Sequence, residues 1–325
     1  MRIHPAIAAL AAEPAPLLGA GEAAHAWSAD PAVAPAIADL GRFADGAMFD
    51  ECPALTRLFV SGKQATAFAS KAAAAAVEQM RSAPLSLWPW RHFSNGVLHS
   101  VTLASAGPAS LSLALVDGTA WTAARDPAAP DLAAFQPGLL HAVVVAGAAR
   151  GRILRNRAGD SATARIEAKA LVLAPGVTVA IDGSREALAL DSIAGHLLTL
   201  RLYRQPAECA PARQYDVASG ALVHQAAGDR ADSRAELAMA LLRAMGREDA
   251  APAIAALART GAPAARWQAL RECLALDSAT GFAALLEVAG QPGDPLAAPA
   301  RALAESLAAQ HPAFARARED LLCRV

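Results

Sequence analysis

The sequence predicts an α+β protein with a central antiparallel β-sandwich or β-barrel, flanked by N-terminal helices and by a C-terminal helical bundle or repeat-like array. Three observations support this fold class: alanine-rich helical segments before residue 85, short alternating runs with frequent turns over 87–203, and apolar residues at helical spacing after residue 233. We therefore expect an N-terminal helical segment over 1–85, a β domain over 86–210 and a C-terminal helical domain over 211–325.

The N-terminal segment contains two predicted helices. Asp30 followed by Pro31 indicates a helix start, because Asp is a favoured N-cap and proline fits the first helical position. Four apolar residues then follow on one helical face: Val33, Ile37, Leu40 and Phe43. The alanine run over 72–76 predicts a second helix over 64–81, which Pro84 ends.

The middle third has the pattern of short β-strands. Leu111, Leu113 and Leu115 alternate with small residues, and residues 177–181 and 198–203 show the same period of two, which is typical of a half-buried strand. Asp182 followed by Gly183 favours a hairpin, and the glycine-containing stretch over 147–151 favours a turn. About eight short strands with regular turns predict an antiparallel sandwich or barrel rather than a parallel sheet.

The C-terminal third reads as short helices. Ser233 and Glu236 have capping-box spacing at the start of the first one. Its apolar stripe is predicted to comprise Leu237, Leu241, Leu242 and Met245. Further helices are predicted over 250–259, 263–276, 280–289 and 295–310, with glycines at the breaks. Short helices with short links favour antiparallel packing, and no sequence repeat supports a true solenoid.

Composition limits the classes of partner and the compartment. The 29 basic and 30 acidic residues give a formal net charge of −1, so there is no extended basic footprint for nucleic acid or for an anionic membrane. The four cysteines form no CxxC pair, which indicates reduced thiols. Glu13, Pro14 and Pro16 interrupt the apolar N-terminal stretch, so no continuous signal-peptide core is formed. We expect a cytoplasmic protein without nucleic-acid or membrane partners.

The strand and turn motifs over residues 88–206 follow a recognisable order. A hydrophobic strand from His141 to Val145 precedes the glycine-containing stretch over 147–151 and a strand over 152–156. A Pro-Gly pair then ends at Gly176, and a late strand carries Leu-x-x-Tyr-x-x-Pro, ending at Pro206. This order resembles the cupin superfamily, the RmlC-like jelly roll, and most of all its cysteine dioxygenase branch.

The resemblance implies a metal centre, usually non-haem iron, that the family holds with histidines and sometimes a glutamate. The paired His-x-His motif of the family is absent here, because His141 has no histidine two residues later. After the Pro-Gly pair, the second ligand position falls near Arg185 or Glu186, and the next histidine is His196. The resemblance therefore implies the fold, with metal-binding motifs that are degenerate.

Four histidines of the β segment are the candidates for a rearranged metal site: His92, His99, His141 and His196. No two histidines of the chain lie at i,i+2, i,i+3 or i,i+4 spacing, so a site would have to combine distant positions. Isolated histidines are more often surface groups or hydrogen-bonded core groups. We therefore expect no cofactor and no catalytic residue, with iron as the alternative.

The densest aromatic patch of the chain begins at Trp88 and runs to Phe93. Trp88, Trp90 and Arg91 favour a pocket rim or a partner-binding surface, since Trp and Arg are common interface anchors. The competing interpretation is that these side chains are buried in the core between the N-terminal helices and the sheet. No G-x-S-x-G elbow, G-x-G-x-x-G motif or P-loop occurs.

These observations leave three functional hypotheses, and whether the protein is an enzyme stays open. The first is a non-catalytic cupin-like binding or regulatory protein without an intact metal site. The alternative is a metal-dependent, non-haem iron dioxygenase-type cupin with a rearranged histidine ligand set. The third is a helical scaffold whose residues 233–325 bind a partner. A homodimer is expected because a jelly roll often pairs through an edge strand, and a small-molecule ligand is left unidentified.

Overall fold

A computed structural model describes residues 20–83, 88–126, 128–158, 163–207, 210–228 and 230–316. The chain forms two compact units. The first, called the β unit below, lies within Met1–Glu208 and Ala212–Gln225, and the second, the helical unit, lies within Cys209–Pro211 and Ala226–Val325. The N-terminal helices thus belong to the same unit as the strands, and the predicted division at residue 85 does not coincide with a boundary between units. No described helix has the length and apolarity that crossing a membrane requires.

The described part of the first unit begins with four α-helices: α1 (Ala20–Ala29), α2 (Ala34–Ala44), α3 (Pro53–Val60) and α4 (Gly62–Ser82). The predicted helix over 64–81 is confirmed as α4, whose N-cap Ser61 accepts a hydrogen bond from the Gln64 amide. The predicted start at Asp30 is wrong. Asp30 instead closes a turn by accepting from the Ala32 amide at 2.8 Å, and α2 begins after that turn.

The strands that the structure describes form two antiparallel sheets. Their bounds are β1 (Arg91–Ser94), β2 (Leu98–Ala106), β3 (Ala109–Asp117), β4 (Leu132–Phe135), β5 (Leu139–Asn156), β6 (Ile166–Leu173), β7 (Thr178–Asp182), β8 (Glu186–Arg204), β9 (Ala212–Asp216) and β10 (Leu222–Ala226), with a short helix α5 (Gly118–Ala124) after β3. One sheet has the order β1-β2-β3-β8-β5-β6 with β7 also paired to β5, and the other has the order β10-β9-β4. The antiparallel α+β class is confirmed, but hydrogen bonding does not close the described strands into a barrel.

Two long strands replace several of the short ones that the sequence predicts. The predicted turn over 147–151 is wrong, because β5 continues through it with register shifts against β8. Gly147 has φ +84°, and a Cβ there would lie 1.7 Å from the carbonyl oxygen of His196. The glycine therefore permits a bulge inside one continuous strand.

The predicted hairpin at Asp182 is also wrong. A turn does form there, with the Arg185 amide donating to the Asp182 carbonyl at 3.0 Å. The strands on either side do not pair, because β7 and β8 both pair with β5 instead. Gly183 passes close to the start of β5, where its amide donates to the Gly138 carbonyl at 2.8 Å.

The seven-stranded sheet separates two apolar cores. Residues such as Leu111, Val143 and Leu200 point to one side and pack against the N-terminal helices. Their neighbours in sequence point to the other side, where Val144 and Leu197 belong to a second cluster. This division follows from the alternation of side chains along a strand. Both faces of the middle strands are therefore covered by protein.

Up to residue 310, the described part of the second unit contains helices α6 (Arg230–Ala244), α7 (Ala251–Leu257), α8 (Pro263–Leu276), α9 (Ser278–Ala289) and α10 (Ala297–Gln310). The predicted inward stripe of α6 is wrong for Leu237, Leu241 and Met245, which are 72%, 58% and 60% exposed. Its fourth member, Leu242, does pack against the helical core. Met239 is buried instead. One turn further along α6, Arg243 donates to buried Glu272 of α8 at 2.5 Å, so the need to pair a buried carboxylate fixes this face inward.

Candidate functional site

A cavity of about 430 Å³, called the β cavity below, lies on the side of the seven-stranded sheet that faces away from the N-terminal helices. Its lining is mostly aliphatic and includes Leu98, Val144, Val179, Ile181, Leu188 and Leu197. A small number of polar side chains also line it: Ser100, Ser112, Gln136, Glu186, Thr199, Arg201 and Tyr203. An apolar cavity of a few hundred Å³ with a few polar groups is typical of small-molecule sites.

Strand β8 supplies the central polar residues of this cavity. Arg201 stands opposite Ser112 of β3 and Ala142 of β5 in the sheet register. Paired residues of neighbouring strands face the same side, and side chains alternate along each strand. Thr199, Arg201 and Tyr203 therefore face the cavity, while residues 198, 200 and 202 face the helices.

Arg201 is largely enclosed, and within the described part of the chain it forms no ion pair. Its Nε donates to Thr199 Oγ1 at 3.0 Å, and the Thr199 hydroxyl in turn donates to the Ala114 carbonyl at 3.3 Å. Burial lowers the pKa of Arg201, which still leaves an arginine charged at neutral pH. The cavity thus contains an uncompensated positive charge.

The other charged residue of the lining is already paired. Glu186 accepts a hydrogen bond from Arg155 Nε at 2.9 Å, at the first residue of β8. Tyr203 is also anchored, because its hydroxyl donates to the Pro137 carbonyl at 2.8 Å. A Cβ at Gly138 would lie 2.5 Å from the Tyr203 ring, so glycine is required for that ring position.

A larger recess of about 960 Å³ occurs within the helical unit, among α7, α9 and α10. Its cations already have partners: Arg259 donates to both carboxylate oxygens of Glu287 at 2.8 and 2.9 Å, and Arg301 donates to the Ala289 carbonyl at 3.0 Å. The cavity of the β unit is therefore the stronger candidate, since it combines apolar walls with an unsatisfied charge.

The four candidate histidines are not brought together. His141 lies on the opposite face of the sheet, stacked on Phe49 with ring centroids 3.9 Å apart, and burial lowers its pKa. His99 Nδ1 lies 2.9 Å from Ser94 Oγ, while His92 and His196 are exposed. Among the described residues, no three His, Cys, Asp or Glu side chains are placed to hold a metal ion. The donor arrangement therefore does not fit an iron centre.

The aromatic patch at Trp88 divides into a buried and an exposed part. Trp90 is buried, and its ring meets that of Trp27 of α1 edge-on at 5.5 Å, which places it in the core that joins helix and sheet. Trp88 is 38% exposed beside a recess of about 500 Å³, and Arg91 is exposed on β1. The patch lies outside the lining of the β cavity.

Arg201 was missed as a site residue from the sequence. It stands in a run of alternating leucines, where the polar positions of a half-buried strand normally face solvent. One signal could have identified it. If the predicted N-terminal helices cover the leucine face, the other face of a middle strand points into the β unit. An arginine on that face is then buried, and burying a charge is costly unless it has a partner.

No protein-family model and no curated protein matches this chain. Solved structures that match in part include ectoine synthase from P. lautus, with 14% identity and a TM-score of 0.23 over 35% of this chain and 67% of that one. Others are hydroxypropylphosphonic acid epoxidase from S. wedmorenis in complex with fosfomycin (12%, 0.25, 35% and 54%) and a cupin superfamily protein from Desulfitobacterium hafniense (10%, 0.23, 34% and 81%). Similarity at this level assigns neither family nor activity, and the expected cysteine dioxygenase likeness is not shown by it.

Proposed function

We propose that this protein is a non-catalytic, cupin-like binding or regulatory protein whose β unit holds a small molecule in the cavity of about 430 Å³. The observation that carries the proposal is the combination of aliphatic walls with a few inward polar side chains. Ligand binding on a covered sheet face also explains why β8 carries Thr and Arg where a purely structural core would carry aliphatic residues.

The reactive side chains that the structure describes support binding rather than catalysis. Cys52 and Cys273 are buried, and burial raises the pKa of both thiols, which makes them poor nucleophiles. The lining residues that the structure describes include neither histidine nor cysteine, and their carboxylate, Glu186, accepts hydrogen bonds from Arg155. A general base beside a nucleophile, the usual minimum for acyl transfer, is not assembled in this lining.

Binding of a neutral apolar dye tests the cavity itself. Fluorescence titration with N-phenyl-1-naphthylamine should show saturable binding to the wild type. Ala142 is buried and lines the cavity, so Ala142→Leu should weaken this binding by filling space. Ala170→Leu, on an exposed position of β6, is the matched control and should bind as the wild type does. Full binding to Ala142→Leu, or none to the wild type, would contradict the proposal.

The iron-dependent alternative has a direct test of its own. Stoichiometric iron in the purified protein, lost on substitution of His141 or His196, would replace a binding role with a metal-dependent one. The expected homodimer remains a prediction, which light scattering on the full chain checks.

A further inference from the structure

We propose that the Arg201 guanidinium binds the carboxylate of a small organic acid whose apolar part fills the β cavity. This inference rests on the proposed ligand site and adds to it the chemical class of the ligand. Among the described lining residues, no free carboxylate balances the positive charge of Arg201.

Carboxylates of the β unit already form ion pairs with arginines other than Arg201. Arg152 pairs with Asp131 and Asp191, and Arg155 pairs with Glu186. Among the described lining residues, Arg201 is the only cation. A guanidinium in an apolar cavity without a counter-charge is costly, and an anionic ligand removes that cost on binding.

The hydrogen bonds of Arg201 fix the guanidinium and leave its outer donors available. Thr199 accepts from Nε at 3.0 Å, and Thr199 is itself held by the Ala114 carbonyl. Within the described part of the chain, no hydrogen bond or ion pair engages the two Nη groups. Two parallel N–H donors in one plane match the two oxygens of a carboxylate. Ser112, directly across in the register, adds a hydroxyl beside them.

The remaining lining indicates a singly charged ligand with an apolar body. One cation balances one negative charge, whereas a phosphate dianion would bring a second charge with no partner among the described lining residues. The aliphatic walls formed by Val144, Val179 and Ile181 favour hydrocarbon. We therefore expect a monocarboxylate with an aliphatic or aromatic body.

The test compares acids with their uncharged amides by calorimetry. The probes are hexanoate, benzoate and 3-phenylpropanoate, each paired with its primary amide, together with inorganic phosphate. At least one acid should bind the wild type more tightly than its amide does. Arg201→Met should weaken that acid at least about thirtyfold, the loss expected on removing one partner of a buried charged hydrogen bond.

Two controls separate this inference from the proposed function. Arg150→Met, the same substitution at an exposed position of β5, should bind the acid as the wild type does. Arg201→Met should retain the neutral dye, which shows that its cavity is still formed. If the dye binds but no acid is preferred over its amide, or if Arg201→Met keeps the acid affinity, the carboxylate assignment alone fails. Binding of phosphate in place of the acids also overturns it, whereas loss of dye binding by the wild type defeats the ligand site itself.

Discussion

Replacing Arg201 by methionine should stabilise the ligand-free protein, even though the change removes the hydrogen bond to Thr199. Replacing a buried ion pair by apolar side chains of similar volume is often stabilising by about 1–4 kcal/mol, and we expect a similar gain here because an unpaired buried guanidinium has the desolvation cost without the Coulombic attraction. The lost hydrogen bond returns roughly 1 kcal/mol of that gain. Thr199 keeps its bond to the Ala114 carbonyl, so no new buried donor is left without a partner.

The net expectation is a gain of about 0–3 kcal/mol in the free energy of unfolding, which corresponds to at most roughly 12 °C in Tm for a unit of this size. Urea denaturation followed by tryptophan fluorescence measures it. Four of the five tryptophans, Trp27, Trp88, Trp90 and Trp121, lie in the first unit, so the signal reports mainly on that unit. Arg150→Met serves as the control and should change the midpoint little.

The opposite result would refute the reasoning about the cavity charge. If Arg201→Met lowered the free energy of unfolding by about 2 kcal/mol or more, the arginine would have a stabilising counter-charge or network in the free protein. The Arg201 guanidinium would then not be unpaired in the ligand-free protein. The expected preference for carboxylate ligands would lose its physical basis.

Three further results are expected from the same denaturation assay. Because burial lowers the pKa of His141 below its ordinary value of 6.5, the unfolded chain binds the proton more tightly; stability should fall as the pH drops through 6.5, and His141→Phe should reduce that slope. Gly147→Ala should cost more than about 2 kcal/mol, whereas Gly195→Ala, also at positive φ but in open space, should cost only about 1 kcal/mol; equal costs would contradict the tight approach of β5 to β8. Glu272→Ala should cost about 2–3 kcal/mol in the helical unit and Glu287→Ala, at an exposed ion pair, less than about 1 kcal/mol; here the urea denaturation is followed by far-UV circular dichroism instead of fluorescence.

The element types were largely predictable from the sequence, because they depend on local patterns. The alanine run gives α4, and strict alternation gives β3 and the C-terminal half of β8. These patterns survive in the structure because burial on one face enforces a period of 3.6 in helices and of 2 in strands.

The errors arise where a local signal has two structural solutions. A glycine pair favours a turn, yet at Gly147 it permits a bulge that keeps β5 in one piece, and only the facing strand decides between the two. The side of α6 that is buried depends on Glu272 of another helix, which pattern analysis of α6 does not include. The same limit hid Arg201, since its importance depends on what covers each face of β8.

The strict alternation along β8 separates two kinds of selective constraint within one strand. Leu198, Leu200 and Leu202 hold the helices in place, while Thr199 and Arg201 contact only the opposite compartment. Positions 199 and 201 can therefore exchange one chemical group for another without disturbing the leucine face that packs on the helices. A protein built this way can acquire affinity for a new ligand through single substitutions, while the leucines beside them continue to maintain the fold.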